Sequence, residues 1–86
     1  MYELTYAQKA RKALKRLRRS GSFPEANFKD LLASFIQGNP PPAHFKDHAL
    51  HGDLATSREC HLGFNLLLLY KRNEEMSVIT ISKIGT

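Results

Sequence analysis

A single cysteine, Cys60, stands in a chain of 86 residues. It excludes an intrachain disulfide framework and a zinc site built on cysteine pairs, and it fits a reducing cytosol. No stretch has the layout of a secretory signal. The longest unbroken apolar run, Leu66 to Tyr70, is far too short to span a bilayer. The chain has no glycine-rich phosphate loop and no nucleophile elbow, so neither P-loop nor serine-hydrolase chemistry is on offer. No internal repeat is visible. Acidic residues are missing between Glu3 and Glu25, and that gap is filled by the opposite sign.

Seven of the thirteen Lys and Arg residues fall between Lys9 and Arg19, within a net charge of +5 and a pI near 9.7. Such a segment favours a polyanion or an acidic protein partner, although a solvated helix face reads the same way. A hydrophobic fraction of 42% is ordinary for a globular fold and argues against disorder. The length allows one small domain over residues 1–86, with a modest core.

Tyr2 to Thr5 fits a short edge strand. Tyr6, Ala10, Ala13, Leu14 and Leu17 then recur at helical spacing, with Thr5 as N-cap and Ser20-Gly21 as the stop. Ser22-Phe23-Pro24-Glu25 has the form of a capping box. Phe28, Leu31, Leu32, Phe35 and Ile36 make a second amphipathic helix ending at Gly38. The short connection predicts an antiparallel helix hairpin.

Asn39-Pro40-Pro41-Pro42 is a stiff connector, followed by a loop to about Asp53. A strand is expected from Ala55 to Leu62 and a turn at Gly63-Phe64-Asn65. Leu66 to Lys71, apolar on both faces, should be a central strand. After a turn at Asn73-Glu74-Glu75, β-branched Val78 to Ser82 forms a third strand. The fold class is therefore α+β: a short N-terminal strand and a two-helix hairpin packed on one face of a small antiparallel sheet. The other sheet face is left for a ligand.

Three of the four histidines, His48, His51 and His61, lie between Phe45 and Tyr70. On a strand, Cys60 and Leu62 point one way and Glu59 and His61 the other. Glu59 and His61 then have the make-up of an acid–base pair, and equally that of an exposed polar pair. Asp47-His48 sits in a loop, where Asp47 suits a turn cap. His44 reads as surface, His51 as a turn residue and Cys60 as a small buried hydrophobe. The four histidines lack the helical spacing and the cysteine partners of common zinc sites, so no metal and no cofactor are expected.

Three runs carry a resemblance: Phe45-Lys46-Asp47-His48-Ala49-Leu50-His51-Gly52, Ser57-Arg58-Glu59-Cys60-His61-Leu62, and Leu67-Leu68-Leu69-Tyr70-Lys71. Together with the basic first helix and the final Ile84-Gly85-Thr86, they resemble the YafQ branch of the RelE/ParE toxin superfamily (RelE/ParE-like microbial ribonuclease fold). The resemblance implies the toxin of a type II toxin–antitoxin system, a cytoplasmic, metal-independent endoribonuclease. Such a toxin cuts translated mRNA in the A site of the 70S ribosome, with contacts to 16S rRNA, and is neutralised by a cognate antitoxin. It also implies catalytic roles for His48, Glu59 and His61. Lys46, Arg58 and Lys83 would supply positive charge to the phosphate, and Asn65, Lys12 and Arg16 would join them in holding RNA.

Two departures accompany the resemblance. Asn65-Leu66 stands where the family commonly has Asp-Trp, which removes an acid and an aromatic unless Phe64 replaces the latter. The resemblance also implies a continuation past Gly-Thr with a catalytic histidine, so the chain as given is expected to lack the family's last few residues and to be weakly active or inactive. The competing readings are a ParE-like toxin that binds a protein target without cutting RNA, and a basic RNA- or ribosome-binding module. Retention of His48 and His61 favours the nuclease.

Overall fold

The computed structural model describes residues 1–52 and 56–86. Strand β1 (Glu3–Tyr6) leads into helix α1 (Gln8–Arg19), then helix α2 (Glu25–Gln37) and a single 3₁₀ turn (Ala43–Phe45). Four strands follow: β2 (His48–Ala49), β3 (Arg58–Gly63), β4 (Leu66–Asn73) and β5 (Val78–Gly85). They form one sheet in the order β1-β5-β4-β3-β2. The expected central strand is central, and residues 66–71 are extended as their two-sided apolar pattern requires.

The sheet differs from expectation in three respects. β1 runs parallel to β5, pairing Glu3 with Val78 and Tyr6 with Ile81, while every other pairing is antiparallel. The intervening helices carry the chain back across the sheet, which a parallel pairing needs. A two-residue strand, β2, occupies what the sequence offered only as loop, being too short for any period to show. β5 continues to Gly85 rather than stopping at Ser82, with a register shift opposite Leu69 and Tyr70 that keeps Ile84 inward. The expected strand start at Ala55 lies outside the described residues.

One core lies between the helices and one sheet face. Ala10 and Leu14 of α1 and Phe28, Leu31 and Phe35 of α2 meet Cys60, Leu62, Leu68, Tyr70, Ile79, Ile81 and Ile84 of the strands. Each fully buried Phe or Leu contributes roughly 1.5–3 kcal/mol. Phe35 packs on Tyr70 with ring centroids 4.4 Å apart. The two helices are tied at their junction by Arg18 Nε, 2.6 Å from Glu25 Oε1.

That ion pair corrects the capping box. Glu25 is the first helical residue, Pro24 is the N-cap, and Ser22 Oγ lies 3.2 Å from Ser20 Oγ instead of capping α2. Thr5 likewise is no cap. It belongs to β1, where its hydroxyl pairs with that of Thr80 at 2.9 Å, and Ala7 opens α1. Gly38 ends α2 with φ at 75°, and a Cβ there would meet Tyr2 Cε1 at 2.8 Å. Only glycine satisfies both demands.

Candidate active site

Alternation along β3 divides its side chains as the sequence requires. Cys60 and Leu62 are buried in the core, while Glu59 and His61 stand half-buried on the face without helices. His48 reaches that face through the turn that precedes it. Lys46 adopts a left-handed backbone (φ 52°), sparsely populated for a residue with a side chain. Its N–H donates to the Ala43 carbonyl at 3.0 Å, and its own carbonyl accepts from His48 Nδ1 at 2.8 Å. The chain reverses there and lays His48 against Glu59 as their strands pair.

His48 Nε2 lies 3.2 Å from Glu59 Oε1. The His48 and His61 ring centroids are 6.0 Å apart. One donor atom from each of His48, Glu59 and His61 lies within 4.8 Å of the others, the one such cluster among the described residues. The Lys46 carbonyl can only accept, so His48 Nδ1 is the donor to it, and Nε2 is the nitrogen turned toward Glu59 and the site. Two imidazoles and a carboxylate this close can exchange protons with one bound group. They also have the chemistry of metal donors.

Asp47 holds the turn from beneath. Its carboxylate accepts from Arg58 Nε at 3.0 Å and Nη2 at 2.8 Å, from the Tyr70 hydroxyl at 2.6 Å and from Cys60 Sγ at 3.5 Å. Burial pushes the Asp47 carboxyl upward, but the bonds from Arg58 and Tyr70, with the guanidinium charge, hold it below the ordinary carboxylate range. Burial, and then the Asp47 charge beside it, pushes the Cys60 thiol far up, so Cys60 is inert. Tyr70 is raised by its burial and its bond to Asp47. The sequence suggested only a turn cap for Asp47. Arg58, Cys60 and Tyr70 come from two strands, and their shared partner appears only once the chain folds.

An open cleft of about 830 Å³ adjoins the cluster, lined by His61, Lys46, His44, Asn65, Phe64, Asn27 and Thr86 among others. Lys46 and Asn65 therefore stand with His61, and His44, exposed as expected, also lines the cleft. Lys83 is in register with Leu69, which pairs with Glu59, so it lies two strands away, about 10 Å. Arg58 projects to the other face and is engaged by Asp47. Lys12 and Arg16 are exposed on α1, in the helical layer across the sheet from Glu59 and His61. His51 is exposed and stands apart from the cluster.

The model of the family described as the bacterial toxin of type II toxin-antitoxin system, YafQ, matches residues 2–86. No curated protein matches the chain in sequence. Among solved structures, a metal-bound toxin from Helicobacter pylori is 28% identical with a TM-score of 0.89, covering 100% of this chain and 94% of its own. A mutant of YafQ from E. coli is 25% identical with a TM-score of 0.83, over 100% and 93% of the two chains. In the E. coli DinJ-YafQ toxin-antitoxin complex the matching chain is 24% identical, with a TM-score of 0.84 over 99% and 91%.

Proposed function

The chain belongs to the YafQ family of toxins of type II toxin–antitoxin systems, and from that premise we propose that it is an endoribonuclease cleaving translated mRNA in the ribosomal A site. The observation that carries the reading is the His48–Glu59–His61 cluster, its donor atoms within 4.8 Å of one another beside an open cleft.

The chemistry follows from what these groups do with protons. A base removes the proton of a ribose 2′-OH, and the oxygen attacks the adjacent phosphorus in line. The bond to the 5′-oxygen breaks as an acid protonates it, so the cluster as a whole returns to its starting proton count. We assign the first transfer to the linked pair of His48 and Glu59. His48 Nε2 and Glu59 Oε1, 3.2 Å apart, take up the proton between them, and the carboxylate stabilises the imidazolium. His61 and Lys46 line the cleft, where His61, protonated, gives its proton to the leaving 5′-oxygen and Lys46 offsets the developing charge of the phosphate. Thr86 lines the same cleft.

No metal ion is assigned a step. The basic α1, with Lys12 and Arg16, and the charge of Lys83 add a salt-sensitive attraction for the RNA backbone or for rRNA. Arg58 serves this scheme through Asp47 and not by touching phosphate. The partner that restrains the toxin is a cognate antitoxin, and an acidic flexible segment suits the +5 charge. Among the described residues no helix is long and apolar enough to cross a membrane, and a toxin acting on translated mRNA would work in the cytoplasm.

The test is expression in bacteria with mapping of mRNA ends. Growth arrest with cuts inside translated codons supports the reading. Arrest with intact mRNA would favour a toxin that binds a protein target.

A further inference from the structure

We propose that Tyr70, a core residue outside the cleft, is a positioning residue for the reaction, setting the place of His48 through the Asp47 carboxylate. The proposal rests on the nuclease reading and extends it to a side chain that meets no substrate. Tyr70 is buried, its ring packed on Phe35 of α2. Its hydroxyl donates to Asp47 Oδ1 at 2.6 Å. Burial, and then that bond, push the phenol upward, so it stays protonated and remains a donor.

The segment that carries His48 needs such a hold. Upstream it is pinned by Phe45, which is fully buried. Downstream lie the two residue pairs of β2 and the bond from the Leu50 N–H to the Ser57 carbonyl at 3.0 Å. Between these anchors Lys46 turns left-handed, a conformation unfavourable to a residue with a side chain. Backbone of that kind persists where its surroundings over-determine it. Asp47, the next residue, connects the turn to those surroundings. Arg58 of β3 holds Oδ2 with two N–H groups, and Tyr70 of β4 holds Oδ1 beside the weaker Cys60 thiol. Both carboxylate oxygens are thus fixed from two paired strands. With the hydroxyl gone, the carboxylate can pivot about Arg58 and Lys46 can relax. The Lys46 carbonyl, which accepts from His48 Nδ1, then moves, and the ring turns away from Glu59. A displacement of about 1 Å can cost on the order of a hundredfold in rate, so a hydroxyl remote from the substrate has leverage on the reaction.

Tyr70→Phe deletes the hydroxyl and keeps the ring. The comparison, in the full-length protein, is Ile79→Val, which trims a buried side chain of β5 outside this network. Both variants should melt slightly lower. In single-turnover cleavage, Tyr70→Phe should lower the maximal rate about tenfold and leave the half-saturating mRNA concentration unchanged, while Ile79→Val alters neither. Placed on His48→Ala, Tyr70→Phe should cost nothing further, because the group it positions is gone. In imidazole NMR spectra, Tyr70→Phe should shift the His48 ring signals more than those of His61, and Ile79→Val should move neither. A Tyr70→Phe protein that cuts at the parent rate, a loss confined to the half-saturating concentration, or the same loss on top of His48→Ala overturns the proposal. So do His48 ring signals that stay in place. If the parent protein itself cuts no mRNA, the nuclease reading falls, and those ring signals still decide whether Tyr70 places His48.

Discussion

His48 stands directly opposite Glu59 across the β2–β3 ladder, its Nε2 3.2 Å from the carboxylate and its Nδ1 2.8 Å from the Lys46 carbonyl. One imidazole is thus oriented from both sides. Glu59→Gln keeps the size of the side chain and removes its charge. We expect cleavage to fall by on the order of tenfold to a hundredfold, below the loss from removing a histidine, since the amide still positions His48 but no longer stabilises its cation. A single-turnover rate measurement checks this, and an unchanged rate would show that the carboxylate is idle.

Asp47 links the turn to the core, and its lowered carboxyl fixes the sign of a pH effect. A group depressed in the folded state stabilises the fold above its unfolded value, about pH 3.9, and that contribution is lost as pH falls through the folded value. The melting temperature should therefore fall on acidification below about pH 4. Asp47→Asn should be less stable at neutral pH by about 2 kcal/mol, with a flatter acid limb. Chemical denaturation of both proteins at several pH values makes the comparison.

The same donor cluster makes a prediction about metals. Two imidazoles and a carboxylate are donors that suit Cu²⁺ or Zn²⁺, and an ion held there would occupy the lone pairs that the proposed reaction uses. Either ion should inhibit cleavage, and EDTA should restore it while leaving the untreated protein unaffected. A reaction that EDTA abolishes and metal revives would contradict a mechanism of proton transfer alone.

The antitoxin should be held partly by charge, given the +5 of the toxin and the concentration of cations in α1. Raising salt from about 0.05 to 0.5 M should shorten the lifetime of the complex as the Debye length contracts. Binding kinetics at several ionic strengths test this, and a salt-independent lifetime would point to an apolar interface instead.

Much of this was legible in the sequence, for physical reasons that stop at the turns. The helical stripes of Ala10, Leu14, Phe28, Leu31 and Phe35 and the two-sided apolar run from Leu66 report burial directly, and all are core or central strand. The alternation of Glu59 and Cys60 gave the two faces of β3. The parallel pairing of β1 left no trace, because a four-residue strand looks the same in either direction. β2 is two residues long and Lys46 turns left-handed without glycine, so the step that brings His48 to Glu59 carried no pattern. Arg58 shows the limit of residue type. Its charge suggested phosphate, and its place on the strand gave it to Asp47.

The most direct measurement is cleavage of a translated mRNA by the full-length protein and by its His48→Ala and His61→Ala variants, with melting temperatures taken in parallel. Side chains as exposed as His48, at 48%, hold up little of the fold, so melting should barely change. Cleavage should drop by on the order of 10²-fold or more in each variant. Two stable histidine variants that still cut mRNA and arrest growth would contradict the account at its centre.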